Sequence, residues 1–381
     1  MKRIGIFCFY DKEGIVDGYV EFLLEELCCC LSSLVIIING NVSVKGKLIL
    51  EKYTDEIYIR DNKGFDGGAY KDVLINMLGW SRIQEYDELV LCNDTFYGPF
   101  VSFESIFNDM ESTRADFWGL SYCFNRITNY LQSYFLVFRK QIIKESYMAE
   151  YFDKSINSSM SDISDVYSEF EVGLFHYLVN QGYSFAIYSE DNPYDIYKCS
   201  NFCIKECKLP ILKKKSFSPE HIIKNNIMDA LSYLSLAGTY DIDLILDNIK
   251  RTYNLIITKQ EIEQFDFVKK NLVKKKYDVA KIDNEDIKRL ILEEKAIYIY
   301  GVGIFSGRIS KIINIYQGRV AGYIVSDNQG GIPKCKNGVR VYKLSEINNI
   351  KNMVVIVAIN KEHTLEVIPY VKKFNKVIFL W

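Results

Sequence analysis

The chain has 381 residues, 49% of them hydrophobic and 25% charged, with a net charge of −2. That length exceeds one ordinary core, so two or three domains are expected of a soluble globular protein. No apolar run approaches the ~20 residues of a membrane span, and Met1-Lys2-Arg3-Ile4-Gly5-Ile6-Phe7 leads directly into a core strand rather than a secretory leader, so a cytoplasmic location is expected.

The first 200 residues alternate strand and helix. Ile4–Phe9, Leu34–Ile38, Glu56–Arg60 and Glu88–Cys92 read as short apolar strands, with helical stripes over 19–31, 44–52 and from the glycine turn to Leu78. Such alternation implies an α/β fold built on a mainly parallel, Rossmann-type sheet, which binds ligands beyond the carboxyl ends of its strands. Tyr10, Asn39, Asp61 and Asn62, and Asn93 and Asp94 fall at those ends. Further on, 116–120 and 131–138 read as strands, 139–147 as a helix, and 167–180 as a helix ending at Gly182.

Residues 219–290 carry helical periodicity without a strand signal, and the last ninety restart the alternation with strands at 296–300, 320–325, 353–359 and 376–380. The expected organisation is a catalytic domain over 1–210, a helical connector over 211–290 and a small Rossmann-like α/β domain over 291–381. In the last, Gly301, Gly303 and Ser306 follow a strand and open a helix, and Asp327 ends the next strand. This is the outline of a nucleotide-binding unit or of a degenerate one that only packs.

Charge is unevenly distributed. Residues 1–200 hold 17 Lys and Arg against 30 Asp and Glu, whereas 201–381 hold 30 against 19. The basic excess gathers at Lys213-Lys214-Lys215, Lys269-Lys270 and Lys274-Lys275-Lys276, which read as solvated helix faces or as a peripheral contact with anionic lipid. The aromatics sit mainly in the acidic half, so nucleic acid is not the expected partner. Cys199, Cys203 and Cys207 lack the spacing and the histidines of a zinc site, so the ten cysteines read as structural thiols.

The chemistry concentrates between 61 and 99. The turn Gly64-Phe65-Asp66-Gly67-Gly68-Ala69-Tyr70-Lys71 opens a helix, whose N–H groups and dipole suit a phosphate. The strand Leu89–Cys92 then ends in Asn93-Asp94-Thr95, where Asp94 offers a hard oxygen ligand to Mg²⁺ or Mn²⁺. Taken singly, the glycines could be a plain turn and Asp94 a strand-end turn former. Together with Asp116–Leu120, Leu131–Arg139 and Tyr167–Leu174, these blocks resemble the rhamnan synthesis protein F family of bacterial polysaccharide glycosyltransferases, and their order resembles a GT-A-type transferase. The usual Asp-x-Asp is here Asn93-Asp94-Thr95.

The resemblance implies an inverting transfer of rhamnose from dTDP-rhamnose to a lipid-linked cell-surface glycan, at the inner face of the cell membrane. Asp94, Gly67, Gly68 and Lys71 are then candidates for neutralising the leaving diphosphate. Phe65, Tyr70, Phe96, Tyr97, Trp118, Gln132 and Tyr134 are candidates for holding the sugar. Glu171, with Glu169 second, is the candidate base for the acceptor hydroxyl. A catalytically inactive nucleotide-sugar-binding or scaffolding protein of a polysaccharide assembly complex is the rival reading. An oxidoreductase acting through the last ninety residues is the third.

Overall fold

A computed structural model describes residues 1–381 apart from 125–127, 159–161, 190–194, 267–288, 294, 328–332, 348–352, 360–366, 368–369, 372, 375 and 380–381. The chain divides into two units, Met1–Glu263 and Gln264–Trp381.

The first unit is built on a seven-stranded sheet. Its strands are β1 (Arg3–Phe9), β2 (Ser33–Asn39), β3 (Ile57–Arg60), β4 (Glu88–Asn93), β6 (Phe117–Gly119), β9 (Phe135–Arg139) and β10 (Phe185–Ile187), in spatial order β10-β6-β9-β4-β1-β2-β3. β5 (Phe96–Tyr97) lies outside it, and β7 (Tyr122–Phe124) and β8 (Asn129–Leu131) form a separate antiparallel hairpin. β1 through β4 are mutually parallel where they pair. The runs Ile4–Phe9 and Leu34–Ile38 are buried throughout, as expected of strands covered by helices on both faces. The expected mainly parallel α/β sheet is therefore present.

One strand decides where the site forms. β9 runs antiparallel to both β4 and β6, with Cys92 opposite Phe135 and Gly119 opposite Leu136. Because it points the other way, its beginning meets the carboxyl ends of β1, β2 and β4. Asn93 N–H donates to the Tyr134 carbonyl at 3.1 Å, which delivers Gln132, Ser133 and Tyr134 to the polar rim already formed by Tyr10, Asn39 and Asp94. The segment expected as one strand over 131–138 is thus split between β8 and β9, with a turn between them.

A separate connector beginning at 211 is not what the first unit shows. β11 (Leu212–Lys213) pairs antiparallel with β5, placing Tyr97 opposite Leu212 and Phe96 opposite Lys213. Helices Lys224–Ala237 and Asp243–Tyr253 belong to the same unit. Arg251 on the second of these donates to Asp17 and Asp11, each at 2.6 Å, and to Glu13 at 3.1 Å. Tyr97 Oη donates to Asn248 at 2.5 Å. Apolar residues such as Ile227, Leu231, Ile245 and Ile249 are buried there, so this segment contributes to the core instead of spacing two domains.

Helical expectations for 139–147 and 167–180 resolve into shorter pieces. Lys140–Lys144 and Tyr147–Ser155 are separate helices, and Tyr167–Gly173 is a π-helical stretch continuing into Leu174–Asn180. A second π stretch, Asp72–Met77, follows the seven-residue helix Phe65–Lys71. A π turn closes its hydrogen bond one residue further on than an α-turn and is often found at functional sites.

The second unit holds strands β12 (Ala296–Tyr300), β13 (Val320–Val325), β14 (Cys335–Lys336), β15 (Val339–Lys343), β16 (Met353–Val357) and β17 (Val377–Phe379), in order β14-β15-β13-β12-β16-β17. All pairs are parallel except β14 with β15. β14 and β15 add to the strands expected from the sequence: Val339-Arg340-Val341 carries the apolar–polar alternation of a half-buried strand, but over too few residues to stand out.

Candidate active site

The carboxyl ends of β1, β2 and β4, the start of β9 and the chain after β11 enclose a cleft of about 1050 Å³ within the first unit. Of the residues singled out in the sequence, it is lined by Tyr10, Asn39, Asn62, Phe65, Asp66, Asn93, Asp94, Thr95, Gln132, Tyr134 and Glu171. Tyr122, Tyr130, Tyr167 and Tyr197 add an aromatic wall, and Lys213, Lys214 and Lys215 a basic one.

The strand-end motif is held tightly. Asn93 is buried and donates from Nδ2 to Asp66 Oδ2 at 3.0 Å, while its Oδ1 accepts from the Thr95 hydroxyl at 2.6 Å and the Thr95 N–H at 3.2 Å. Asp66 also accepts from Gly67 N–H at 3.0 Å, yet burial pushes its carboxyl above the ordinary range. Asp94 is buried, and both its oxygens are taken. Oδ1 accepts from Tyr10 N–H at 3.3 Å, and Oδ2 accepts from Tyr19 Oη and from Lys214 Nζ, both at 3.0 Å.

Glu171 enters from the π stretch. Its Oε1 accepts from the Ser133 N–H at 3.1 Å and the Ser133 hydroxyl at 2.9 Å, so β9's antiparallel course is what holds it. Burial raises its carboxyl above the ordinary value, and the neighbouring Asp66 charge adds to this, while the Ser133 bonds and Lys213 oppose it. Opposite, Ser121 Oγ joins Gln132 Oε1 at 2.7 Å and Tyr134 Oη at 2.6 Å, which fixes both side chains at the rim.

Other expected site residues stand elsewhere. Gly64 caps the Phe65–Lys71 helix in the left-handed region (φ 67°). A Cβ on Gly67 would lie 2.9 Å from Phe170 Cβ, and one on Gly68 would lie 3.0 Å from the Lys63 carbonyl. These glycines permit close packing of the helix; they do not line the cleft. Lys71 donates to the Asp153 and Ile156 carbonyls at 2.6 and 2.8 Å and does not line the cleft. Tyr70, Phe96, Tyr97 and Trp118 are fully buried core residues, Trp118 packing against Phe107 and Phe135. Asp61 is exposed and pairs with Lys63. Glu169 is outside the cleft lining, with its backbone carbonyl accepting from Tyr151 Oη at 2.6 Å.

The expected Mg²⁺ or Mn²⁺ does not fit this donor set. Asp94 is the sole carboxylate at the strand end, and an ammonium already occupies the position beside its Oδ2. Among the described residues no group of three or more His, Cys, Asp or Glu side chains converges as a metal site.

The lysines are what sequence reading missed. Lys213-Lys214-Lys215 was read as a solvated or lipid-facing run, but Lys213 is 6% exposed and Lys214 is ion-paired with Asp94. The apolar stretch Leu209-Pro210-Ile211-Leu212 preceding them was the available signal that this segment is internal. The basic runs at 269–270 and 274–276 lie outside the described residues. Among the described residues no helix is long and apolar enough to cross a membrane.

In the second unit, Gly301 has φ +107° and approaches the Ala358 carbonyl. Lys336 Nζ fills the turn by donating to the carbonyls of Val302 (2.5 Å) and Gly303 (2.8 Å) and to Ser306 Oγ (2.8 Å). Asp327 accepts from the Ser345 N–H and hydroxyl at 3.0 and 2.9 Å. The four groups expected to meet a nucleotide there are bonded within the unit.

An α/β sheet with a polar cleft at its carboxyl edge, where buried carboxylates and lysines meet, has a candidate ligand site at the place such sheets bind their ligands. The chain belongs to the rhamnan synthesis protein F family, which matches residues 34–297. It is similar to the "Virulence protein VirA" of Vibrio anguillarum (strain ATCC 68554 / 775), with 26% identity over 183 residues, 48% of this chain and 57% of that protein. A second VirA sequence from Vibrio anguillarum matches to the same extent. The chain thus spans 57% of the length of the curated relatives it matches. Among solved structures, a cytidylyltransferase from Leptospira borgpetersenii serovar Hardjo-bovis (strain JB197) aligns with TM-score 0.34 at 15% identity, covering 67% of this chain and 97% of that one. A 4-diphosphocytidyl-2C-methyl-D-erythritol synthase from Anaerococcus prevotii DSM 20548 aligns with TM-score 0.30 at 12% identity, covering 49% and 88%.

Proposed function

We propose that the first unit is an inverting glycosyltransferase that moves rhamnose from dTDP-rhamnose onto a lipid-linked cell-surface polysaccharide acceptor, working at the inner face of the membrane. The observation that carries this reading is the convergence of Asp66, Asn93, Asp94, Glu171 and Lys213 in one cleft, assembled from segments far apart in sequence. Family membership supports the reaction class.

In this reading the diphosphate lies toward Lys213 and Lys214 and the acceptor toward Glu171. The bond from the anomeric carbon to the diphosphate oxygen breaks, and its electron pair stays on that oxygen. The acceptor oxygen forms the new bond to the anomeric carbon, and its proton passes to the Glu171 carboxylate. Ser133 leaves this base one oxygen free, because among the described residues both of its bonds fall on Oε1. Tyr130 and Tyr167, whose rings meet edge to face at 5.4 Å, offer apolar faces to a sugar.

The test is direct. The purified chain is incubated with dTDP-rhamnose and a panel of other nucleotide sugars, with and without a lipid-linked glycan primer, and free nucleoside diphosphate and glycan mass are measured. Primer-dependent release of dTDP with a mass gain of one deoxyhexose is expected. Thermal stabilisation by a nucleotide sugar without transfer to any primer would instead favour the binding or scaffolding role.

A further inference from the structure

Lys213 poses a physical problem that the fold alone does not resolve. Its side chain is 6% exposed, and its Nζ donates to Thr95 Oγ1 at 2.5 Å and lies 4.2 Å from the Tyr134 ring centre. Among the described residues no carboxylate lies within ion-pair distance of it. A buried ammonium held by one hydroxyl and one ring is costly to the folded state unless something anionic completes its shell. Lys214, next along the chain, sits where a divalent cation would contact Asp94, 3.0 Å from Oδ2, and is held there by Tyr19 Oη as well. The pairing of β11 with β5 fixes both lysines on backbone that also carries Thr95, since the Lys214 N–H donates to the Thr95 carbonyl at 3.1 Å.

We propose that Lys213 and Lys214 together hold the diphosphate of the donor and take up its growing negative charge, so that this site binds a nucleoside diphosphate without a divalent cation. The inference rests on the donor-binding reading above and deepens it. The Asp94–Lys214 pair fixes one ammonium at the site, while the carboxylates of Glu171, Asp66 and Asp94 act on Lys213 only from beyond contact, so a direct anionic contact is left to the ligand. Fixed ammonium groups stabilise a leaving diphosphate by the same electrostatics as a metal ion, without needing acidic ligands to retain one.

The full chain is titrated calorimetrically with dTDP, UDP and GDP, once in EDTA and once in Mn²⁺. A diphosphate is expected to bind in EDTA with an affinity within about threefold of that in Mn²⁺. In Lys213→Met, that affinity falls about tenfold or more. Lys214→Met is the second variant, expected to weaken diphosphate binding whether or not Lys213→Met folds. Binding that requires Mn²⁺, or unchanged affinity in either folded variant, overturns the proposal while leaving the donor reading intact. If wild type binds no nucleoside diphosphate in either buffer, the donor reading fails and the proposal falls with it.

Discussion

Replacing Glu171 by Gln tests the base directly. Glu171 Oε1 receives both Ser133 hydrogen bonds, at 3.1 and 2.9 Å, and a Gln carbonyl oxygen can accept the same two. The variant therefore keeps the local geometry and loses only the ability to take a proton. Loss of a positioned general base lowers turnover by about 10²–10⁴-fold, or about 3–5 kcal/mol of barrier. Donor binding, measured by titration of dTDP-rhamnose, should stay close to wild type. Burial raises the Glu171 carboxyl, so the wild-type acid limb of kcat/KM should lie above the ordinary glutamate range, and activity should fall as the pH drops through it. The same shift has a stability consequence. A folded value above the unfolded one favours the protonated folded state, so this contribution is present at low pH and lost as the pH rises between the two values. Glu171→Gln escapes that loss and should melt at or above wild type at neutral pH. Turnover within threefold of wild type would remove Glu171 from the mechanism, and loss of donor binding with folding intact would make it a donor contact instead.

Ser133→Ala removes one of the two bonds favouring the Glu171 carboxylate, so its acid limb should move to higher pH with donor affinity unchanged; an unmoved limb would show that Ser133 does not tune the base. Gly67→Ala drives a methyl to 2.9 Å from Phe170 Cβ and should cost about 1–3 kcal/mol in urea unfolding, whereas unchanged stability with lost nucleotide binding would restore a phosphate role for that turn. Arg251→Ala leaves Asp11 and Asp17 without their ion-pair partner, while Asn248 still donates to Asp17 and the Glu13 and Ile15 N–H groups to Asp11. Since Arg251 is 23% exposed, about 2–3 kcal/mol is expected, seen as a lower denaturation midpoint at constant m-value; a loss under about 0.5 kcal/mol would mean that the helix Asp243–Tyr253 is held by apolar packing alone.

Much of the sheet was legible because buried parallel strands leave runs such as Val35-Ile36-Ile37-Ile38 and Leu89-Val90-Leu91, and turn residues mark their ends. Asn39, Asn93 and Asp94 could be placed at the carboxyl edge on that basis alone. The roles of the glycines were harder to read. A turn built for phosphate and one built for close helix packing use the same residue, and only the neighbours Phe170 and Ser158 tell them apart at Gly67 and Gly68. Aromatic residues behaved likewise: Trp118 and Tyr70 fill the core, while Tyr10 and Tyr167 remain exposed at the cleft.

Local periodicity and strand-end chemistry thus determined the element types, the parallel core and the polar edge, because these depend on residues a few positions apart. The tertiary structure decided that β9 turns back against β4 and delivers Ser133 to Glu171, and that β11 brings Lys214 to Asp94 across 120 positions of chain. Neither partner carries a local mark of the other. Such pairings are selected by the burial of whole segments, so a lysine run that reads as solvated surface becomes the cationic wall of the cleft.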